Sequence, residues 1–223
     1  MTVEIAADPG RRPARVMITR VGLLAALIAA ATVGTVLVVA SQHSPHRESF
    51  SWFVAQPAPA SWQKFTLPDG TGTLAAPPSL VRLPAGPGTV AVGLPAGTGG
   101  LIYLDATPRQ GDETLPGWAA FRIAHLRDDD TAAATLDAHA EHLTFLGGTG
   151  SCVLDDYVTR VGAHHYREIA CLVQGAHGGS VIVAATPAAD WNHYEPLLQQ
   201  AVSAYSSPCP RTVPDERLDS DSV

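Results

Sequence analysis

The segment Asp137-Ala138-His139-Ala140-Glu141-His142 places two imidazoles and two carboxylates within six residues. If it is helical, His139 and His142 stand at i and i+3 and share a face. Both rings can then reach one metal ion. His164 and His165 could supply a third ligand. The pattern is not HExxH and fixes no third ligand, and an exposed polar helix face explains the same residues. Asp128-Asp129-Asp130 offers the oxygen ligands that calcium prefers, without the EF-hand spacing or its Gly. A solvated helix start accounts for it equally, with Thr131 or an Asp as cap. Nucleophilic catalysis needs a Ser or Cys beside a base, and no G-x-S-x-G occurs. Ser151 follows Gly148-Thr149-Gly150, but a loop entering a strand explains those glycines. The Gly-rich loops at 86–88 and 97–100 lack a following Lys-Ser/Thr and suit turns rather than phosphate cradles. The expectation is a protein that is not an enzyme and needs no cofactor. His139 and His142 remain as candidate metal ligands.

The elements that would position these residues alternate in type. Short β-prone pieces lie at 63–67, 72–75, 89–94 and 101–107, separated by turn signals such as Pro68-Asp69-Gly70. Pro116 suits a first helical turn, and Trp118, Phe121, His125 and Leu126 then recur at helical spacing. A second helix is predicted over 132–145, with Leu136, Ala140 and Leu143 on one side and Gly147-Gly148 as its stop. A strand at 180–186 precedes an amphipathic helix carrying Trp191, Tyr194, Leu197, Leu198, Ala201, Val202 and Tyr205. Pro196 requires that helix to start near His193. Trp62, Trp118 and Trp191 fall in apolar patterns and read as core. Trp52 and Phe53 read as interfacial or stalk anchors.

The segments 152–160 and 164–174 form a hairpin about Val161-Gly162. Setting Cys152 opposite Cys171 also sets Leu154 opposite Ile169, Asp156 opposite Arg167 and Val158 opposite His165. The other face pairs Tyr157 with Tyr166 favourably and Asp155 with Glu168 unfavourably. A Cys152–Cys171 disulfide is geometrically reasonable in this register. Cys209 is the alternative partner, since connectivity does not follow from sequence alone.

Residues 21–40 are an uncharged apolar run of twenty residues, long enough as a helix to cross a hydrocarbon core of roughly 30 Å. Arg11, Arg12, Arg15 and Arg20 precede it and hold the N-terminus in the cytoplasm. Val38, Ala40 and Ser41 would also suit signal-peptide cleavage, but the run exceeds the usual h-region. The expected organisation is a cytoplasmic tail (1–20), a transmembrane helix (21–40), an extracytoplasmic stalk (41–61), an α+β domain (62–206) and a disordered acidic tail (207–223). Beyond residue 40 there are 10 Lys and Arg against 19 Asp and Glu. No basic stripe exists, which argues against a nucleic-acid partner. The expected partners are the membrane and an envelope protein, and the sequence carries no sign of oligomeric state. A pocket between sheet and helices would make a small-ligand carrier the third option, beside scaffolding and a metal-dependent enzyme or metal-handling protein using His139 and His142.

Several landmarks follow one another in order. Trp62-x-x-Phe65-x-x-Pro68-x-Gly70 opens the domain, and a helix precedes Cys152-x-x-x-x-Tyr157-x-x-x-x-Gly162. Tyr166-x-Glu168-x-x-Cys171, Val181-Ile182-Val183-Ala184-Ala185 and a closing Trp191 helix complete the set. Over 62–205 this resembles the PsbP/Mog1-type α/β domain of small exported or membrane-anchored proteins of GC-rich bacteria. The resemblance implies an antiparallel sheet with helices packed on it and a non-enzymatic binding or accessory role. No lipobox cysteine follows the apolar run, a departure that favours a helical anchor.

Overall fold

The computed structural model describes residues 50–128 and 131–208. The strands are β1 (Gln63–Thr66), β2 (Thr73–Ala76), β3 (Val81–Arg82), β4 (Val90–Pro95), β5 (Leu101–Pro108), β6 (Thr131–Phe145), β7 (Gly148–Thr159), β8 (His165–Gly175) and β9 (Gly178–Pro187). The α-helices are α1 (Trp118–Asp128) and α2 (Trp191–Ser203). Seven strands form one antiparallel sheet in the order β3-β4-β5-β9-β8-β7-β6, and β1 pairs with β2 as a separate hairpin.

Alternate residues of the central strands feed two cores. Cys152, Leu154, Ile169, Cys171, Ile182 and Ala184 pack with Leu198, Ala201 and Val202 of α2. Val153, Tyr157, Tyr166, Ala170, Val181 and Val183 pack with Trp118, Ile123 and Leu126 of α1. Because side chains alternate across a strand, the two helices cover opposite faces of the sheet. The result is the α+β class with helices packed on an antiparallel sheet.

The β7–β8 hairpin has the register read from the sequence. Cys152 faces Cys171, Leu154 faces Ile169, Asp156 faces Arg167 and Tyr157 faces Tyr166. The two cysteines are joined by a disulfide across 19 residues, with Cα atoms 4.0 Å apart. Cross-linking a loop of this size stabilises by about 3 kcal/mol on the chain-entropy account. Cys152→Ala/Cys171→Ala should therefore lower the urea midpoint by the equivalent of about 2–4 kcal/mol. An unchanged midpoint would contradict the chain-entropy account for this disulfide.

The segment 132–145 is not a helix. It lies within β6, a 15-residue strand at the sheet edge. Its ladder with β7 has register shifts between Thr131 and Ala133, Leu136 and Ala138, and Ala140 and Leu143. Each bulge adds a residue and reverses the in–out alternation. Ala134 thus packs in the α1 core while Ala138 packs in the α2 core. No stretch of period 2 runs long enough to outweigh the helical propensity of the five alanines in this strand. The bulges also blunt a long edge against pairing with another chain.

The packing already includes residues upstream of Trp62. A short 3-10 turn (Phe50–Trp52) buries Phe50, and Phe53 packs against Phe145 with ring centroids 4.6 Å apart. The Gln56 amide donates to the Ser203 carbonyl at 3.0 Å. Trp52 and Phe53 therefore belong to the α2 core and are not stalk anchors. At the other end Ser206 bridges to Thr73 and Leu146, and buried Ser207 donates to the Thr71 carbonyl. Helix α2 starts at Trp191, directly after a 3-10 turn (Ala188–Asp190), so Pro196 is its sixth residue.

Gly72 couples the β1–β2 hairpin to the main sheet. A Cβ there would collide with the Tyr205 hydroxyl, which donates to Ser180 Oγ at 2.8 Å in the interior. Gly72→Ala should cost about 1–3 kcal/mol, as overpacking does. Wild-type thermal stability in this variant would show that Tyr205 swings aside freely.

Residues 21–40, Cys209 and the acidic tail lie outside the described residues. Among the described residues no helix is long and apolar enough to cross a membrane.

Candidate ligand cavity beside helix α1

Helix α1 presents Trp118, Arg122 and Leu126 at i, i+4 and i+8, one stripe aimed at the sheet. Trp118 is anchored by its indole N–H, which donates to the Ala170 carbonyl at 2.9 Å. Arg122 lies between the two apolar members of this stripe, where an aliphatic residue would be expected. Its Nε donates to Glu168 Oε1 at 2.7 Å, and its Nη2 lies 2.5 Å from the same oxygen.

Glu168 belongs to an acidic nest on the α1 face. Asp155 of β7 sits directly opposite Glu168 of β8, and both are 0% exposed. Asp105 of β5 lies two strands from Glu168, across β9. Four carboxylate oxygens here have no hydrogen-bond partner among the described residues: Asp105 Oδ1, both of Asp155, and Glu168 Oε2. Three carboxylates thus share one guanidinium. Burial, then the charge of Glu168, pushes the Asp155 carboxyl up to about 9, so it is a neutral acid at pH 7. Burial also pushes Asp105 up to about 6. Tyr103 and Tyr157 close the nest, their hydroxyls 2.9 Å apart. Burial holds both above the ordinary phenol range.

Above Arg122 opens a cavity of about 230 Å³. Trp118, Phe121, Pro108 and Val181 supply its apolar walls. Thr107, Gln110, Glu113, Arg122 and His125 supply its polar groups. Trp118, Phe121 and His125 form a stack along α1, with centroids 5.8 and 5.7 Å apart. Phe121, the middle ring of this stack, lines the cavity and keeps 37% of its surface exposed. The Glu113 carboxylate is buried and accepts the Gly111 amide at 2.7 Å, which shapes the rim loop. An apolar cavity with a few convergent polar groups, set against strongly shifted carboxyls, has the general form of a small-molecule site.

On the other face of the sheet an open cleft of about 580 Å³ is lined by Asp137, Asp156, His165, Arg167 and Trp191, among others. Arg167 Nη1 lies 2.9 Å from Asp137 Oδ2 and 2.9 Å from Asp156 Oδ2, while His165 Nε2 lies 3.0 Å from Asp156 Oδ1. The Arg167 guanidinium also covers the Trp191 ring at 5.2 Å. These contacts tie β6, β7 and β8 to the start of α2.

The residues singled out for metal are not brought together as a helix would bring them. His139 is exposed on β6 opposite Val153, and His142 is exposed in the last bulge with φ 59°. His165 pairs with Val158, five residues farther along β7, about 17 Å at the usual strand rise. His164 lies in the turn before β8. Among the described residues no group of three or more His, Cys, Asp or Glu is placed to hold a metal ion. Ser151 is buried in β7 with its Oγ unpartnered, and its neighbour Cys152 is in the disulfide. Arg122, Asp105, Asp155 and Glu168 were not singled out as a site by sequence. The unfavourable Asp155–Glu168 pair was the visible signal.

No family profile matches this chain, and no curated protein does. Among solved structures it is similar to the protein of unknown function PA94 from Pseudomonas aeruginosa. That similarity has 17% identity and a TM-score of 0.39, and covers 67% of this chain and 98% of that one. It is also similar to the solution structure of cyanobacterial PsbP (CyanoP) from Synechocystis sp. PCC 6803, with 15% identity and a TM-score of 0.46. Here 70% of this chain and 97% of that chain are covered.

Proposed function

We propose that this protein is a single-pass, membrane-anchored binding domain of the bacterial cell envelope. It takes a small ligand in the cavity between α1 and the sheet. The carrying observation is that cavity, with aromatic walls, one guanidinium and a buried acidic nest behind it. The apolar run 21–40 after four arginines supports an N-in anchor with the domain outside. The Cys152–Cys171 disulfide is consistent with an oxidising exterior. The role is binding, with an envelope protein as the partner that receives or senses the liganded state.

Two measurements test this reading. Native mass spectrometry of the full chain, extracted from membranes, should show an added small-molecule mass that is lost when Phe121→Ala opens the stack. Protease added to intact spheroplasts should digest the domain. Protection of the domain would place it inside and remove the envelope role.

A further inference from the structure

Resting on the reading of the α1 cavity as the ligand site, we infer that its ligand is a small aromatic carboxylate, held by the free side of the Arg122 guanidinium with its ring against Phe121 and Trp118.

Size sets the first limit. A cavity of roughly 150 Å³ holds benzene, so about 230 Å³ takes one ring with a short polar substituent. The walls set the second. Phe121 and Trp118 both line the cavity, 5.8 Å apart and stacked at 22°, with His125 stacked on Phe121 in turn, so a flat ring packs against the exposed edge of this aromatic wall.

Arg122 sets the charge. Its two hydrogen-bonding nitrogens, Nε and Nη2, both go to the single oxygen Glu168 Oε1. Nη1 makes no hydrogen bond or ion pair to any described residue, and Arg122 lines the cavity with 13% of its side chain exposed. A guanidinium has five donors in a planar fork, so the remaining donors match an incoming carboxylate. Of the acidic nest only Glu168 touches the guanidinium; Asp155 is a neutral acid at pH 7, and Asp105, a carboxylate at that pH, lies two strands from Glu168. Glu113 is turned to the Gly111 amide on the rim. Arg109, whose guanidinium donates to the Glu113 carbonyl, adds a second positive charge beside the mouth.

The test compares three probes of nearly equal size on the full-length chain at pH 7: benzoate, benzyl alcohol and benzylammonium. Calorimetry gives affinity, and amide chemical shifts at Gln110, Phe121 and Val181 report whether the probe sits in the cavity. Benzoate should bind about ten- to a hundredfold more tightly than benzyl alcohol, the range for a charge-assisted hydrogen bond. Benzylammonium should bind more weakly still. Arg122→Met/Glu168→Gln removes the ion pair as a unit without orphaning either charge, and it should abolish the preference for benzoate. Equal or tighter cavity binding of the neutral or cationic probe would overturn the carboxylate assignment while leaving the cavity as a ligand site. Absence of cavity shifts with all three probes would overturn both.

Discussion

Replacing Arg122 by Met should destabilise the domain by about 3–5 kcal/mol, the range seen when one partner of a buried ion pair is removed. The cause is the residue left behind. Glu168 is 0% exposed, and its Oε1 takes both hydrogen-bonding nitrogens of Arg122. Without the guanidinium this carboxylate is left buried beside Asp155, Tyr157 and Tyr103. It must then either stay charged at high cost or take a proton. Arg122→Met/Glu168→Gln should recover most of the loss, because a neutral pair with similar shape carries no such penalty. Urea unfolding of the two variants at pH 7 separates the cases. A single mutant within about 1 kcal/mol of wild type would contradict the pairing of Arg122 with Glu168 as the dominant contact.

The second large effect is on pH. The folded state holds the Asp155 carboxyl at about 9 and the Asp105 carboxyl at about 6, both above the ordinary value of 3.8. In each case the native protein binds more protons than the unfolded chain between the two pKa values. Stability must then fall as pH rises. For Asp155 the loss runs from near pH 4 to about 9, and for Asp105 it ends near 6. Each group contributes a slope of at most about 1.4 kcal/mol per pH unit. The domain should be about 2–4 kcal/mol more stable at pH 5 than at pH 8. Asp155→Asn removes the titrating proton and offers an amide donor to the unpartnered Glu168 Oε2. It should flatten the profile, raising stability at pH 8 and changing it little at pH 5. A wild-type profile that rises from pH 5 to pH 8 would refute the neutral Asp155. Asp137, also pushed above its ordinary value by burial and by Asp156, acts in the same direction.

Both predictions arise from one cross-strand pair that sequence reasoning met as an anomaly. The register that joins Cys152 to Cys171 also forces Asp155 onto Glu168. Like charges directly opposite are destabilising on an exposed sheet. The structure keeps the register and resolves the conflict by burying the pair, protonating Asp155 and bringing Arg122 across from α1. Hairpin geometry was legible because the side-chain period of two and the short turn at Val161-Gly162 leave few registers open. Arg122 was not, since it is 46 residues from Glu168 and the joining contact is tertiary.

The error at 132–145 has a different origin. Five alanines among those residues of β6 favour a helix locally, and three bulges hide the strand period. The long ladder with β7 overrides the local preference, and with the helix goes the shared face for His139 and His142. The packing of Phe50 and Phe53 was missed for a related reason. A Ser-, Pro- and Ala-rich stretch reads as a linker, yet Phe50 and Phe53 insert into the α2 core.

What the chain by itself determined is local or short-range: the β7–β8 register, the apolar face of α2 and most of the short strands around them. These depend on periodicity and turn chemistry, which are encoded within a few residues of one another. Only the tertiary structure decided which polar groups lost their water. Burial turns an unfavourable Asp–Glu pair into a proton-holding nest and an arginine on an apolar stripe into the floor of a cavity. Solvation is a property of the packed whole, and no neighbouring residue in the sequence carries it.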